Sequence, residues 1–165
     1  MEDILENRFL GQINENIGIA HKVCNVYFDD PEERADILQE MFYQLWKGYP
    51  KFREQSKFST WMYTVCLNTA ITHFKKHQKS RHEPASYSDL ELAGEESDEE
   101  YESKLQTLHK RIERLSPVNK SIILLYMEGI KYDEISAITG LSKTNISVRL
   151  VRIKKELKNC KPKTV

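Results

Sequence analysis

From Lys143 to the C-terminus the chain carries eight lysines and arginines (143, 149, 152, 154, 155, 158, 161, 163) against one acid, Glu156. Between the first of them stand short polar side chains, Thr144, Asn145 and Ser147, with Val148 beside them. The cations can neutralise phosphates, which is the sequence-independent part of nucleic-acid affinity. The polar side chains can read base edges, and a valine can meet a thymine methyl. A second chemistry-bearing stretch is Lys57-Phe58-Ser59-Thr60-Trp61, where an aromatic ring and small hydroxyls follow a cation. Rings of this kind stack on unpaired bases, each stack worth roughly 1–3 kcal/mol. Trp61 could equally be a core anchor.

The elements that would position these groups follow from the pattern. Tyr132-Asp133-Glu134 opens a short helix with acids in its first turn, and Gly140 ends it where a positive φ is needed. Ser142 is placed to cap the next helix. In that helix Ile146, Leu150, Ile153 and Leu157 form one apolar stripe. A short helix, a glycine turn and a basic amphipathic helix make a helix-turn-helix, its second member able to enter a major groove. The same spacing also fits an ordinary helical hairpin with a solvated basic face.

The 165 residues have a net charge of zero, but the charge lies in blocks. Residues 1–46 hold 3 basic and 10 acidic side chains, and residues 47–82 hold 8 and 1. Residues 83–103 hold 0 and 9, and residues 104–165 hold 14 and 5. Two basic segments on either side of an acidic one suggest two nucleic-acid contacts. Glycine and proline are scarce and helical apolar periodicity dominates, so the expected fold is all-α. We expect two small helical domains joined by an acidic linker, the C-terminal one a helix-turn-helix of winged-helix-like type. The expected boundaries are 1–82, a flexible linker over 83–103 and 104–165. No apolar run approaches the roughly 20 residues of a membrane span. The acidic N-terminus lacks the basic start of a signal peptide. Cys24, Cys66 and Cys160 are far apart, which fits a reducing, cytoplasmic setting.

In chain order, residues 4–28 predict a long helix facing inward with Phe9, Ile13, Ile17, Ala20 and Cys24. Asp30 caps a second helix with Pro31 at its first position. That helix has apolar residues over more than half its circumference, plus an acidic patch of Asp36, Gln39 and Glu40. Ser59 or Thr60 is expected to cap a third helix, which runs to about Gln78. A short helix could form near 88–93. A fourth helix starts near Glu100 and faces inward with Leu105, Leu108, Ile112 and Leu115. Ser116 caps a fifth, with Pro117 at its first position. His73 and His77 are spaced like a zinc pair, but no Glu stands at 74, so the HExxH pattern is absent. No metal, no cofactor and no small-molecule substrate are expected. No phosphate loop, nucleophile elbow or ligand cluster appears, so the chain is not expected to be an enzyme.

Two separated stretches carry a family resemblance. Asp36-Ile37-Leu38-Gln39-Glu40-Met41-Phe42 with Leu45-Trp46, then Phe58-Ser59-Thr60-Trp61-Met62 with Asn68-Thr69-Ala70, resemble region 2 of bacterial RNA polymerase sigma factors. Leu115-Ser116-Pro117, Tyr132 to Ser136, Gly140-Leu141-Ser142 and Arg149-Leu150 with Arg152 resemble region 4. The missing middle domain matches the extracytoplasmic-function (ECF) subgroup. The resemblance implies an alternative sigma factor that binds core RNA polymerase and promoter DNA and initiates transcription. Many members of the subgroup also have an anti-sigma factor as partner.

It further implies that Asp36, Gln39 and Glu40 dock on core polymerase. Lys57, Ser59, Thr60, Trp61, Asn68, Thr69, Thr72, His73, Lys75 and Lys76 would contact the minus-ten element. Lys143, Thr144, Asn145, Ser147, Val148, Arg149 and Arg152 would contact the minus-thirty-five element. The acidic linker would occupy a basic channel of the polymerase, or simply act as a solvated spacer. The chain departs from the family at Thr144-Asn145-Ile146, where Gly-Thr-Val is usual, and at Ser147-Val148, where a basic residue and Ser are common. The Trp-Trp wedge of housekeeping members falls on Thr64-Val65, which implies weaker melting. Two other function classes fit the residues: a stand-alone helix-turn-helix regulator with an N-terminal sensor or dimerisation domain, and a helical adaptor that binds only protein.

Overall fold

A computed structural model describes residues 1–80 and 98–158. Among the described residues seven helices form: α1 (Glu2–Tyr27), α2 (Pro31–Gly48), α3 (Phe58–Ser80), α4 (Asp98–Glu113), α5 (Pro117–Met127), α6 (Tyr132–Thr139) and α7 (Lys143–Lys158). A single 3-10 turn, Tyr49–Lys51, follows α2. Among the described residues there is no β-strand, so the helix-turn-helix is built of helices alone. None of the described helices is long and apolar enough to cross a membrane. The expected short helix near 88–93, most of the linker and Cys160 lie outside the described residues.

The local start and stop signals act as the sequence predicts. Asp30 accepts the Glu33 N–H at 3.2 Å, and Pro31 fills the first position of α2, where a missing N–H costs nothing. Ser116 accepts the Asn119 N–H at 3.2 Å ahead of Pro117. Gly140 ends α6 at φ +76°, a left-handed conformation that a Cβ disfavours. The start of α3 differs from expectation. The Trp61 N–H donates to the Lys57 carbonyl at 3.2 Å, so the helix begins at Phe58, and Ser59 and Thr60 lie in its first turn instead of capping it. Phe58 is buried among Tyr49, Phe52 and Trp61, and this packing draws the helix start inward.

In the N-terminal half α3 packs on both α1 and α2. Val23, Cys24, Met41, Leu45, Met62, Cys66 and Ala70 form the centre of that core. Ile17 is exposed although the helical spacing suggested an inner position, and Ile19 is buried instead. At about 100° per residue the buried arc of α1 is centred on Phe9, Ala20 and Tyr27, and the two isoleucines lie on its opposite flanks. Only the Ile19 flank is covered. Burial pushes the Cys24 thiol up to about 11 and the Cys66 thiol up to about 12, so both are neutral and unreactive at neutral pH.

In the C-terminal half Ile122, Leu125, Ile135, Ile146, Leu150 and Ile153 form the centre. Each such side chain contributes roughly 1.5–3 kcal/mol by leaving water. Leu124 is buried, whereas Tyr126 and Met127 are exposed. Leu105 was expected inside and is exposed, because the first turns of α4 reach past its neighbours; Leu115 is buried and Leu108 and Ile112 are half-buried. Helix α4 starts at Asp98, inside the stretch expected to be linker.

The two halves are packed on each other. Helices α5 and α6 contact α3, and α5 also contacts α1. The Tyr27 hydroxyl donates to the Pro117 carbonyl at 2.6 Å. Lys120 is buried at this junction, its Nζ 4.4 Å from the Phe74 ring centroid and 5.6 Å from that of Tyr27. Lys22 pairs with Glu128, and Lys57 lies 3.7 Å from Glu134.

Candidate nucleic-acid interface

Helix α7 is held by its turn. The Gly140 N–H donates to the Ser136 carbonyl, and the Ser136 hydroxyl donates to the Leu141 carbonyl at 2.6 Å. The Ser142 hydroxyl then accepts the Asn145 N–H at 3.1 Å. Replacing Ser142 with alanine should cost about 1 kcal/mol, the usual worth of such a cap, and lower the melting temperature of the whole chain. With Ile146, Leu150 and Ile153 turned inward, Thr144, Asn145, Ser147, Val148 and Arg152 are exposed together on the outer face. Lys143 is also exposed and forms an ion pair with Asp133 of α6. Arg149 is half-buried at the edge of this face. Its Nε donates to Asn145 Oδ1 at 2.8 Å, and its Nη1 donates to Asn119 Oδ1 at 3.0 Å. Asn119 belongs to α5, and no local spacing in the sequence points to it; only the packing of α5 beside α7 brings it here.

On α3 the expected contacts divide. Asn68, Thr72, Lys75 and Lys76 are exposed along one side, with His73 half-buried beside them. Thr69 does not belong with them. It is buried, its hydroxyl donating to the Val65 carbonyl at 2.8 Å, because the side of α3 that carries Met62, Cys66 and Thr69 faces the core. Ser59, Thr60 and Trp61 are half-buried at the start of the helix, and Lys57 is exposed. The Trp61 ring stacks on Phe52 at 5.0 Å and 30° and touches Phe58 at 5.5 Å. A Cβ placed on Gly48 would lie 3.2 Å from the indole, so α2 ends against it. The indole is thus both an anchor for the 52–61 segment and a half-open ring.

On α2, Asp36 and Gln39 are exposed, and Glu40 is half-buried, its carboxylate accepting from Gln44 at 2.8 Å. Tyr43 and Trp46 continue the same stripe and are exposed. Neither aromatic is among the expected docking residues; their spacing from Asp36 and Gln39 (36, 39, 43, 46) puts all four on one side of the helix.

His77, one turn from His73, lies 3.6 Å from Glu33. Among the described residues one group could hold an ion: Asp29, His109 and Glu113, with His109 Nε2 3.5 Å from Asp29 and 3.1 Å from Glu113. Burial first, and then the Asp29 charge, raise the Glu113 carboxyl above its ordinary value. The imidazole lies between the two carboxylates and links the loop after α1 to α4.

An outward polar and basic face on α7, propped by α6, and a second basic helix, α3, can meet nucleic acid. Residues 13–80 match the model for sigma-70 region 2, and residues 105–157 match the model for sigma-70 region 4. The chain belongs to the sigma-70 family. Regions 2 and 4 without a domain between them place this sigma factor in the ECF group. It is 28% identical over 132 residues to the RNA polymerase sigma factor YlaC of Bacillus subtilis (strain 168), covering 77% of this chain and 76% of that one. It is 26% identical over 155 residues to the ECF RNA polymerase sigma-E factor of Escherichia coli (strain K12), covering 84% and 80%. Among solved structures, the sigma factor RpoE of Bartonella quintana, in complex with the anti-sigma factor NepR, superposes with a TM-score of 0.67 at 19% identity. That match covers 96% of both chains. The N-terminal half is therefore sigma region 2, not a sensor or dimerisation domain of a stand-alone regulator.

Proposed function

We propose that this ECF sigma factor reads the minus-thirty-five element with the outer face of α7 and the minus-ten element with the exposed side of α3. The observation that carries the reading is the pairing of the two sigma regions with two basic helical faces on one chain. As a sigma factor it binds core RNA polymerase, recognises promoter DNA and starts transcription, and the protein itself performs no covalent step. In the major groove Asn145 and Ser147 meet base edges, Val148 meets a thymine methyl, and Arg152 meets a phosphate or base. Asn68, Thr72, Lys75 and Lys76 follow the minus-ten strand, and the open side of Trp61 stacks on an extruded base. The stripe of Asp36, Gln39, Tyr43 and Trp46 docks on the polymerase, aromatic anchors beside an acidic rim.

The test is a pull-down of core polymerase with the purified protein, followed by run-off transcription from a genomic fragment library. Stable core binding with new, discrete start sites is the expected result. DNA binding without core binding would reject the assignment of α2 and α3. Arg152→Ala should lower promoter-directed transcription roughly three- to tenfold while core binding is unchanged. Unimpaired transcription would remove Arg152 from the interface.

One geometric consequence follows. The two promoter elements, by their names, lie about 25 base pairs apart, or roughly 85 Å at 3.4 Å per pair. In the free arrangement Lys57, just before α3, lies 3.7 Å from Glu134 of α6. The halves must part for both elements to be read at once.

A further inference from the structure

Arg149 is not a free cation on the reading face. It donates to Asn145 one turn back and to Asn119 across on α5, at 2.8 and 3.0 Å. An arginine side chain has donors and no acceptor. Each asparagine must therefore turn its oxygen, not its nitrogen, toward the guanidinium, and both amide orientations are fixed by chemistry. The Asn119 backbone N–H is separately engaged by the Ser116 cap, so its side chain is not needed to start α5.

We propose that Asn119, Arg149 and Asn145 act as one reading unit, in which Asn119 is a positioning residue that fixes the guanidinium and Arg149 offers only donors to DNA. The proposal rests on the reading of α7 as the minus-thirty-five helix. Asparagine reads adenine by accepting from N6 with its oxygen while donating to N7. Arg149 takes one lone pair of the Asn145 oxygen, while the amide nitrogen keeps both of its hydrogens for the groove. Arg149 retains three of its five N–H groups for DNA. A base edge that carries acceptors alone, N7 and O6 of guanine, satisfies these donors. The N6 amine of adenine would face another donor. A phosphate also carries acceptors alone and would take the same donors without regard to sequence. The lateral support from α5 favours the base edge, because a phosphate contact tolerates a mobile side chain and a base-edge contact requires a fixed one.

The experiment is transcription by core polymerase from a promoter library randomised through the upstream element. It compares the wild type with Arg149→Ala, Asn119→Ala and Asn119→Asp, with core affinity and melting temperature followed in parallel. The wild type should prefer an acceptor-only base at the position whose preference Arg149→Ala abolishes. Asn119→Ala should weaken that same preference roughly three- to tenfold, with core affinity unchanged. Asn119→Asp keeps an oxygen facing Arg149 and should restore most of it. A wild-type profile in Asn119→Ala, or loss of preference in Asn119→Asp, would overturn the positioning role. Adenine at the affected position would overturn the donor argument. A loss in Arg149→Ala that is uniform across the library would assign the donors to a phosphate and overturn base selection. Full activity of Arg149→Ala at every sequence would instead reject α7 as the reading helix at this residue, which is a failure of the underlying reading and is distinct from the others.

Discussion

Trp61→Ala should lower the stability of the N-terminal half by about 2–4 kcal/mol and impair strand opening roughly five- to hundredfold. The stability part follows from the ring's surroundings. The indole stacks on Phe52, crosses Phe58 at 5.5 Å and Tyr49 at 6.4 Å, and closes over Gly48. Each aromatic pair is worth roughly 0.5–1.5 kcal/mol beyond the area it buries, and complete removal of a core tryptophan costs about 3–5 kcal/mol. Trp61 is only half-buried, so its cost falls about 1 kcal/mol below that range. The functional part follows from the half-open face, since one lost base stack costs roughly 1–3 kcal/mol. Trp61→Phe separates the two. It keeps a ring against Phe52 and should recover most of the melting temperature while recovering opening only in part. Opening is read by permanganate reactivity of unpaired thymines, and initial duplex binding by gel shift at the same promoter. Equal loss of duplex binding and opening in Trp61→Phe would assign Trp61 to the core alone.

This double character of Trp61 shows where the sequence was legible and where it was not. The helices and most of their caps are local events. Asp30-Pro31, Ser116-Pro117, Gly140 and Ser142 each act through a neighbour within three or four residues, and each does what its position predicted. The stripe Ile146, Leu150, Ile153 also follows from periodicity alone. What the sequence could not show depends on which side of a helix meets a partner. Thr69 is polar and lies next to Asn68, yet one residue along a helix is a 100° turn, and the turn carries it into the core. The start of α3 moved to Phe58 because a buried ring outweighed a hydroxyl cap. Asn119 was invisible because its partner Arg149 lies on another helix. The packing of α5 and α6 on α3 was equally out of reach, since nothing local encodes it.

Lys120→Ala and Lys120→Met should move the junction of the two halves in opposite directions. Lys120 is 2% exposed, lies over the Phe74 ring and near that of Tyr27, and has Glu113 and Asp29 as its nearest charges. Burial holds its pKa below the ordinary lysine value, and the two carboxylates only partly offset that. Taken alone, the charge therefore loses more by leaving water than its acidic neighbours return, while the aliphatic stem gains by packing on two rings. Alanine removes three methylenes and the ammonium. At about 0.8 kcal/mol per buried methylene this loosens the junction by about 2 kcal/mol, or some thirtyfold in the ratio of closed to open forms. Methionine keeps most of the stem without the charge and should tighten the junction. Energy transfer between dyes on α1 and α7 reports the ratio, and circular dichroism checks that each half keeps its helices. If methionine loosens the junction as much as alanine, the ammonium over the rings is the stabilising element and the argument from burial fails. The pH dependence has a definite sign. Because the closed form holds the Lys120 proton more weakly than the open form, closing strengthens as pH rises through the window between the lowered pKa and the ordinary lysine value, and Lys120→Met abolishes that rise. Since the halves must part to span the two promoter elements, Lys120→Ala should also raise transcription when the sigma factor is limiting, and Lys120→Met should lower it.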